Sequence, residues 1–278
     1  MKNEMKDQSL PLQGMNALVT GGAQGIGAGI CLELALEGAT VAVVDRLQGK
    51  AEELVKKILK LGGNAVAIRA DISSKDGCEQ AIKKVIDKLG GLDILVNNAA
   101  PSRDKNMIRK LTDVDWDTHQ SIVLNAAVIL ADAASKYLKV SGRGVIVNIS
   151  SVVGEQISGA CSWPYHVSKA ALNHLTRWLA VRFGNEGIRV NSVSPGLVDR
   201  DEGPKISDNL TLSGLANELV PLRRPAKTKE IAQAVAFLCS QKSSYITGQI
   251  LVVDGGLSLG EGWSHALVGF DFAKKNSL

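Results

Sequence analysis

Short apolar runs alternate along this chain with longer stretches in which apolar and charged positions recur every three to four residues. Asn16-Ala17-Leu18-Val19-Thr20 is the first run, closed by glycines, and Thr40-Val41-Ala42-Val43-Val44-Asp45 is the second. Gly25 to Glu37 lies between them and reads as an amphipathic helix, so the chain opens strand, helix, strand. The rhythm continues through a charged helical segment from Lys50 to Leu61, strand Ala65 to Ala70, helix Lys75 to Leu89 and strand Asp93 to Asn97. Helix Asp115 to Leu138 precedes strand Gly144 to Ile149, helix Ser162 to Phe183 precedes strand Ile188 to Val193, and helix Lys229 to Leu238 precedes strand Gln249 to Val253. Strands that are apolar along their length are buried on both faces, and helices between them supply the crossovers of a parallel sheet. The pattern therefore predicts an α/β, doubly wound domain with a seven-stranded parallel sheet and helices on both faces. No tandem repeat, low-complexity block or proline-rich linker divides residues 1–278, and the one irregular insert is Leu197 to Leu222.

Composition narrows the partners. The chain carries 32 basic and 28 acidic residues, a net charge of +4, in mixed-sign clusters rather than the basic face of a nucleic-acid binder. Apolar runs are broken by glycine, charge or turn residues before the roughly 18 positions that span a bilayer, so no membrane partner is expected. Cys31, Cys78, Cys161 and Cys239 lie far apart with no metal-ligand spacing, which fits a reducing cytoplasm and predicts neither a zinc site nor a disulfide framework. The polar N-terminus lacks the apolar centre of a secretory signal. Glycine is the unusual feature: 28 of 278 residues, against 4% aromatics. Backbone shape is in use where side-chain bulk is not.

In doubly wound sheets ligands bind beyond the carboxyl ends of the strands, and the chemistry-bearing residues cluster there. The first strand exits into Thr20-Gly21-Gly22-Ala23-Gln24-Gly25-Ile26-Gly27, a turn tight enough to bring backbone and a helix N-terminus up to a pyrophosphate. Asp45 ends the second strand, where a carboxylate accepts hydrogen bonds from an adenosine ribose and repels a 2′-phosphate. NAD(H) is thus favoured, with NADP(H) left open because Arg46, the next residue, suits a 2′-phosphate. Tyr165 and Lys169, four apart in a helical stretch, share one helix face. Ser150 and Ser151 stand at the exit of the fifth strand, and Asn125 lies inside the preceding long helix.

These motifs, in this order, resemble the short-chain dehydrogenase/reductase (SDR) family from about Gln13 to Ser258: the Thr20-to-Gly27 turn, Asp71-Ile72, Asn97-Asn98-Ala99, Asn125, Ser151, Tyr165-xxx-Lys169, Pro195-Gly196 and Val253-Asp254-Gly255-Gly256. The resemblance implies a Rossmann-type fold and hydride transfer at an alcohol carbon. In that family pattern Tyr165 is the acid/base, Lys169 lowers its pKa and holds the nicotinamide ribose, Ser151 steadies the substrate oxygen and Asn125 anchors a proton-relay water. Gly21, Gln24, Gly25, Ile26 and Gly27 would form the phosphate turn. Asp71 and Ile72 would contact adenine, Asn98 and Ala99 the adenosine ribose, and Pro195, Gly196 and Val198 the nicotinamide. The chemistry is coherent, because a phenol ionises near ~10 and a cation within about 4–6 Å favours the phenolate.

On the substrate side the sequence nominates Val153, Gln156, Trp163 and Arg200, the last as a bidentate clamp for a carboxylate in the lid-like segment 197–222. Beyond Ser258 an extension, residues 259–278, carries Trp263, Phe270 and Phe272, suited to packing on a neighbouring subunit. The resemblance also implies a homotetramer. Three readings stay open: an NAD(H)-linked secondary-alcohol dehydrogenase or ketone reductase, an NADPH-dependent 3-oxoacyl-carrier reductase, and a non-catalytic dinucleotide-binding regulator.

Overall fold

A computed structural model describes residues 10–101, 113–158, 161–200 and 205–260. Seven parallel strands form one sheet in the order β3-β2-β1-β4-β5-β6-β9, where β1 is Asn16–Thr20, β2 Thr40–Asp45, β3 Asn64–Arg69, β4 Ile94–Asn97, β5 Val145–Ile149, β6 Arg189–Pro195 and β9 Ile250–Val253. Two short strands not expected from the sequence, β7 (Val198–Asp199) and β8 (Ala226–Lys227), pair in parallel as a separate ribbon. The strand order reverses between β1 and β4, and this switch point opens the crevice at the carboxyl ends.

Alternate strand residues serve opposite faces. Ala17 and Val19 of β1 pack toward α1 (Gly25–Leu36), α2 (Gln48–Lys60) and α8 (Thr228–Cys239), whereas Leu18 packs toward α3 (Lys75–Leu89), α5 (Ala126–Ser141) and α6 (Trp163–Gly184). Both faces of the central strands are covered, which is why β1 and β2 read as apolar runs, whereas buried β6 carries Asn191 and Ser192, whose side chains donate to the carbonyls of Ile246 and Asn148. One expectation needs correction. Apart from Glu33, α1 is apolar on all sides rather than amphipathic, because α8 covers the side that would otherwise meet water.

The long helix expected over Asp115 to Leu138 is three pieces: α4 (Asp113–His119), a π-helical turn Gln120–Asn125, and α5. The run Asp115–Ser141 is, by length and composition, apolar enough to cross a membrane, contrary to the expectation that all apolar runs are interrupted. Its apolar side is used inside the fold: Leu130, Ala131, Ala134 and Leu138 are fully buried in the core beside α3. The insert folds partly as α7 (Leu210–Leu219). Residues 261–278, with Trp263, Phe270 and Phe272, lie outside the described residues, as do Asp201 and Glu202.

A polar thread fixes α6 over the sheet. Asn97 Nδ2 donates to Asn148 Oδ1 at 2.9 Å, and Asn148 Nδ2 donates to Thr176 Oγ1 on α6 at 2.9 Å, all of it buried. Buried amides cost free energy unless paired, so this thread specifies where along β4 and β5 the helix docks. The opposite, amino end of the sheet is tied by Asp93, which accepts Asn16 N at 2.7 Å and Arg143 Nε at 2.8 Å.

Candidate active site

The first helix begins where β1 ends, and the turn between them is shaped by absent side chains. Gly25 sits at φ +57, and a Cβ on Gly27 would collide with the Gly21 carbonyl oxygen. Only glycine fits such an approach, and it leaves a backbone cradle at a helix N-terminus, the geometry that takes phosphate. Neighbouring β4 braces the turn: the Thr20 hydroxyl accepts Asn98 N at 3.0 Å and Ala99 N at 3.1 Å, and the Asn98 amide donates to the carbonyls of Thr20 (2.9 Å) and Gly21 (3.0 Å). The side-chain N–H groups of Asn98 are therefore committed to the turn, a role the sequence did not reveal. Gln24 is exposed at the start of α1, its Oε1 accepting Lys50 Nζ at 2.9 Å, while Ile26 is half-buried against the core.

Asp45 stands at the exit of β2 beside this turn. Its Oδ2 accepts Ala23 N at 3.1 Å and its Oδ1 accepts Leu47 N at 2.9 Å, so the carboxylate is held in place at the crevice edge. Arg46 is exposed next to it. Hydrogen bonds from Ser73 hold the Asp71 carboxyl below its ordinary value, with a smaller electrostatic pull from Arg46, while Ile72 packs on the core beneath. The residues expected along the adenosine side of a dinucleotide thus stand at or just beyond the carboxyl ends of β2, β3 and β4.

The second cluster forms where β5 meets α6. Pro164 lies in the first turn of α6, as suits a residue with no N–H to satisfy there. Tyr165 and Lys169 lie one turn apart, with Lys169 Nζ 5.5 Å from the centre of the Tyr165 ring. Lys169 is 2% exposed and donates to the Ile149 carbonyl at 2.7 Å. Burial brings its ammonium down to about 7. The two serines at the β5 exit have different duties: Ser150 donates to the Lys169 carbonyl at 3.2 Å, whereas the Ser151 hydroxyl caps the 3-10 turn Val152–Gly154 by a long 3.5 Å contact from Val153 N. The Ser151 hydroxyl thus accepts at its oxygen and spends no proton on the Val153 contact, whereas the Ser150 proton goes to the Lys169 carbonyl.

Asn125 closes the π-helical turn and is exposed. A π turn displaces one helical residue from the regular ladder, a distortion common at functional sites. α4 contributes two neighbours that spacing did not single out. His119 meets the Tyr165 ring edge-on at a centroid distance of 6.2 Å, and Trp116 stacks on Trp163 at 5.0 Å. His166 follows Tyr165 on α6. It is buried and pins the loop over α6: its Nε2 accepts Ser158 N at 3.0 Å, which puts the proton on Nδ1, 2.8 Å from the Ser162 carbonyl. One turn beyond Lys169, Asn173 is 3% exposed with neither amide atom partnered.

The remaining nominees disperse. Pro195 ends β6, Gly196 follows so close to Asp254 that a Cβ there would stand 2.7 Å from the Asp254 Cβ, and Val198 begins β7. Val153 is buried, and Gln156 donates to the Ser258 carbonyl at 2.5 Å. Gln156 also lines a cavity of about 460 Å³ with Val152, Glu155, Ser194 and Asp254, and none of Ser151, Tyr165 or Lys169 is among its lining residues. The contact found for Arg200 is with the phosphate turn at Gly25.

Comparison with known proteins agrees with this geometry. A family model described as Enoyl-(Acyl carrier protein) reductase matches residues 21–258. The chain is 35% identical over 246 residues to a 3-oxoacyl-[acyl-carrier-protein] reductase of Thermotoga maritima, covering 88% of this chain and 98% of that protein. It is 37% identical over 243 residues to the reductase of the same name from Staphylococcus aureus, covering 87% and 97%. Among solved structures, a short-chain type dehydrogenase/reductase from Mycobacterium ulcerans superposes with TM-score 0.84 at 30% identity, covering 91% of this chain and 93% of that one. A short-chain dehydrogenase/reductase from Serratia marcescens superposes with TM-score 0.81 at 34% identity, covering 89% and 99%. The chain belongs to the short-chain dehydrogenase/reductase family.

The buried Lys169 has a measurable consequence. An unfolded lysine holds its proton to about 10.4, whereas the folded one releases it near 7, so between these values the unfolded chain binds more protons and stability rises with pH. Urea midpoints of the cofactor-free protein are expected to rise between pH about 7 and about 8, before the unfolded thiols, half ionised at about 8.5, begin to oppose the trend. Lys169→Met should flatten that rise, and an unchanged slope in the variant would refute the assignment.

Proposed function

We propose that the chain interconverts a ketone and a secondary alcohol with a nicotinamide dinucleotide, using Tyr165 as the acid/base. The observation that carries this reading is the Tyr165–Lys169 pair on α6 beside the Ser151 hydroxyl at the β5 exit. When bound, the nicotinamide gives or takes the hydride at the reacting carbon. Ser151 donates a hydrogen bond to the substrate oxygen, and Tyr165 supplies or removes the proton on that oxygen. The Lys169 ammonium, close to the phenol ring, favours the phenolate and holds the nicotinamide ribose. Asn125, exposed at the π turn, anchors the water that renews the proton. The phosphate turn, with Gly21, Gln24, Gly25, Ile26 and Gly27, receives the pyrophosphate. Asp71, Ile72, Asn98 and Ala99 border the adenosine, and Pro195, Gly196 and Val198 border the nicotinamide.

For the substrate, the names of the curated relatives support a 3-oxoacyl thioester over a generic small alcohol. For the cofactor, the carboxylate of Asp45 at the exit of β2, anchored by Ala23 N and Leu47 N, supports NAD(H), since a negative charge there would repel a 2′-phosphate. Arg46 and Lys50 are the nearby cations that an NADP(H) reading would enlist. A homotetramer is supported by exposed apolar side chains on two faces: Val167, Trp178 and Val181 on α6, and Phe237, Leu251 and Val252 on α8 and β9. Light scattering should give a mass of four chains, and Trp178→Glu should lower it.

Tyr165→Phe is expected to reduce turnover of a 3-oxoacyl thioester about 10²–10⁴-fold while NADH still binds. A variant that retains near-wild-type turnover would leave the mechanism without its acid, and a wild type that binds NADH without turning over any such ketone would leave the regulator reading standing. In the same assay the wild-type protein should prefer NADH to NADPH, and Asp45→Ala should erode that preference by roughly tenfold. NADPH preference in the wild type would assign the ribose site to Arg46 and Lys50 instead.

A further inference from the structure

Arg200 follows the β7–β8 ribbon, and the ribbon determines where its side chain goes. Val198 and Asp199 pair with Ala226 and Lys227, and Ala226 N donates to the Leu197 carbonyl at 2.9 Å. The next residue, Thr228, opens α8 and packs directly on α1, where a Cβ at Gly29 would stand 3.0 Å from the Thr228 Cβ. The ribbon is thereby seated one helical turn from the start of α1. Downstream, Asp199 Oδ1 accepts Ile206 N at 2.8 Å and Ser207 N at 3.3 Å, which ties residues 206 and 207 to the end of β7. The exposed Arg200 is held between these two anchors. Its stem lies over Gly25: a Cβ on that glycine would be 3.5 Å from Arg200 Cδ and 4.0 Å from Nε.

The charge balance at the turn gives this contact a meaning. From Thr20 to Gly27 the sequence has no basic residue, so the turn itself offers only backbone N–H groups and the partial charge of a helix N-terminus. The other cation nearby, Lys50, is engaged with Gln24 on the flank that leads to Asp45. A planar guanidinium with several donors in a fixed fork matches two phosphate oxygens. We propose that Arg200 is a pyrophosphate clamp, its guanidinium carried over the first turn of α1 by the β7–β8 ribbon to engage the phosphates of the bound dinucleotide. This rests on the dinucleotide reading of the turn. It replaces the expectation that Arg200 grips a substrate carboxylate, because the side chain is placed against the phosphate cradle.

The test uses ADP-ribose, which carries the pyrophosphate and no nicotinamide, titrated calorimetrically into the full-length protein and its Arg200→Ala and Arg200→Lys variants. Arg200→Ala should weaken ADP-ribose by about tenfold or more, and Arg200→Lys should recover part of the loss. Raising NaCl from about 50 to about 500 mM should weaken the wild type more than Arg200→Ala, because a charge contact is screened by salt. Equal ADP-ribose affinity in wild type and Arg200→Ala would overturn the clamp while leaving the dinucleotide reading intact. So would a raised KM confined to carboxylate-bearing ketones, which would return Arg200 to the substrate. A wild type that binds no ADP-ribose would remove the dinucleotide reading and the clamp with it.

Discussion

The site depends on a brace between two strand ends that are distant in sequence. A phosphate cradle made of glycines has no side chains with which to hold itself, and its conformation is costly in chain entropy. Here the stiffness comes from outside, through the Thr20 hydroxyl that accepts two N–H groups from Asn98 and Ala99 and the Asn98 amide that donates back to Thr20 and Gly21. Because Thr20 ends β1 and Asn98 follows β4, the brace sits at the point where strand order reverses. The switch point therefore both opens the crevice and fixes its floor.

The catalytic side is organised by desolvation. Lys169 is placed in a dry environment where its ammonium is poorly solvated, and its carbonyl and ammonium are both committed, to Ser150 and Ile149 respectively. A cation so confined acts strongly on a neighbouring phenol, since low polarity enlarges each electrostatic term. Ser151, Tyr165 and the loop pinned by His166 are arranged around it, and the Asn148–Thr176 bond keeps the helix from sliding.

Much of this was legible from the chain alone. Strands buried on both faces are apolar along most of their length, so β1, β2 and β4 could be read directly, the other four followed from the strand–helix alternation, and the glycine turn, Asp45, Tyr165 and Lys169 fell at strand exits or on one helix face. What escaped notice depends on relations between segments. The circumference of α1 looked amphipathic because no local signal shows that α8 will cover it. The π turn ending at Asn125 packs against α6, a neighbour distant in sequence, and nothing in its spacing announces it. Ser150 and Ser151 are adjacent and chemically identical, and only their partners separate them. Arg200 was assigned by its neighbours in sequence, whereas the short ribbon that carries it to Gly25 pairs residues 28 positions apart.

The same brace bears on how the chain acquires its fold. β1 pairs with β2 early in the sequence, but its other neighbour, β4, supplies Asn98 across a separation of 78 residues. Such pairings require long loops to close before any contact rewards them, which makes parallel sheets slow to complete. Until β4 docks, the glycine turn has nothing to hold it and the apolar faces of both strands are open to other chains. Competence to bind a dinucleotide thus arrives with the closing of the sheet's centre, late in folding, so a nascent or partly unfolded chain cannot sequester cofactor.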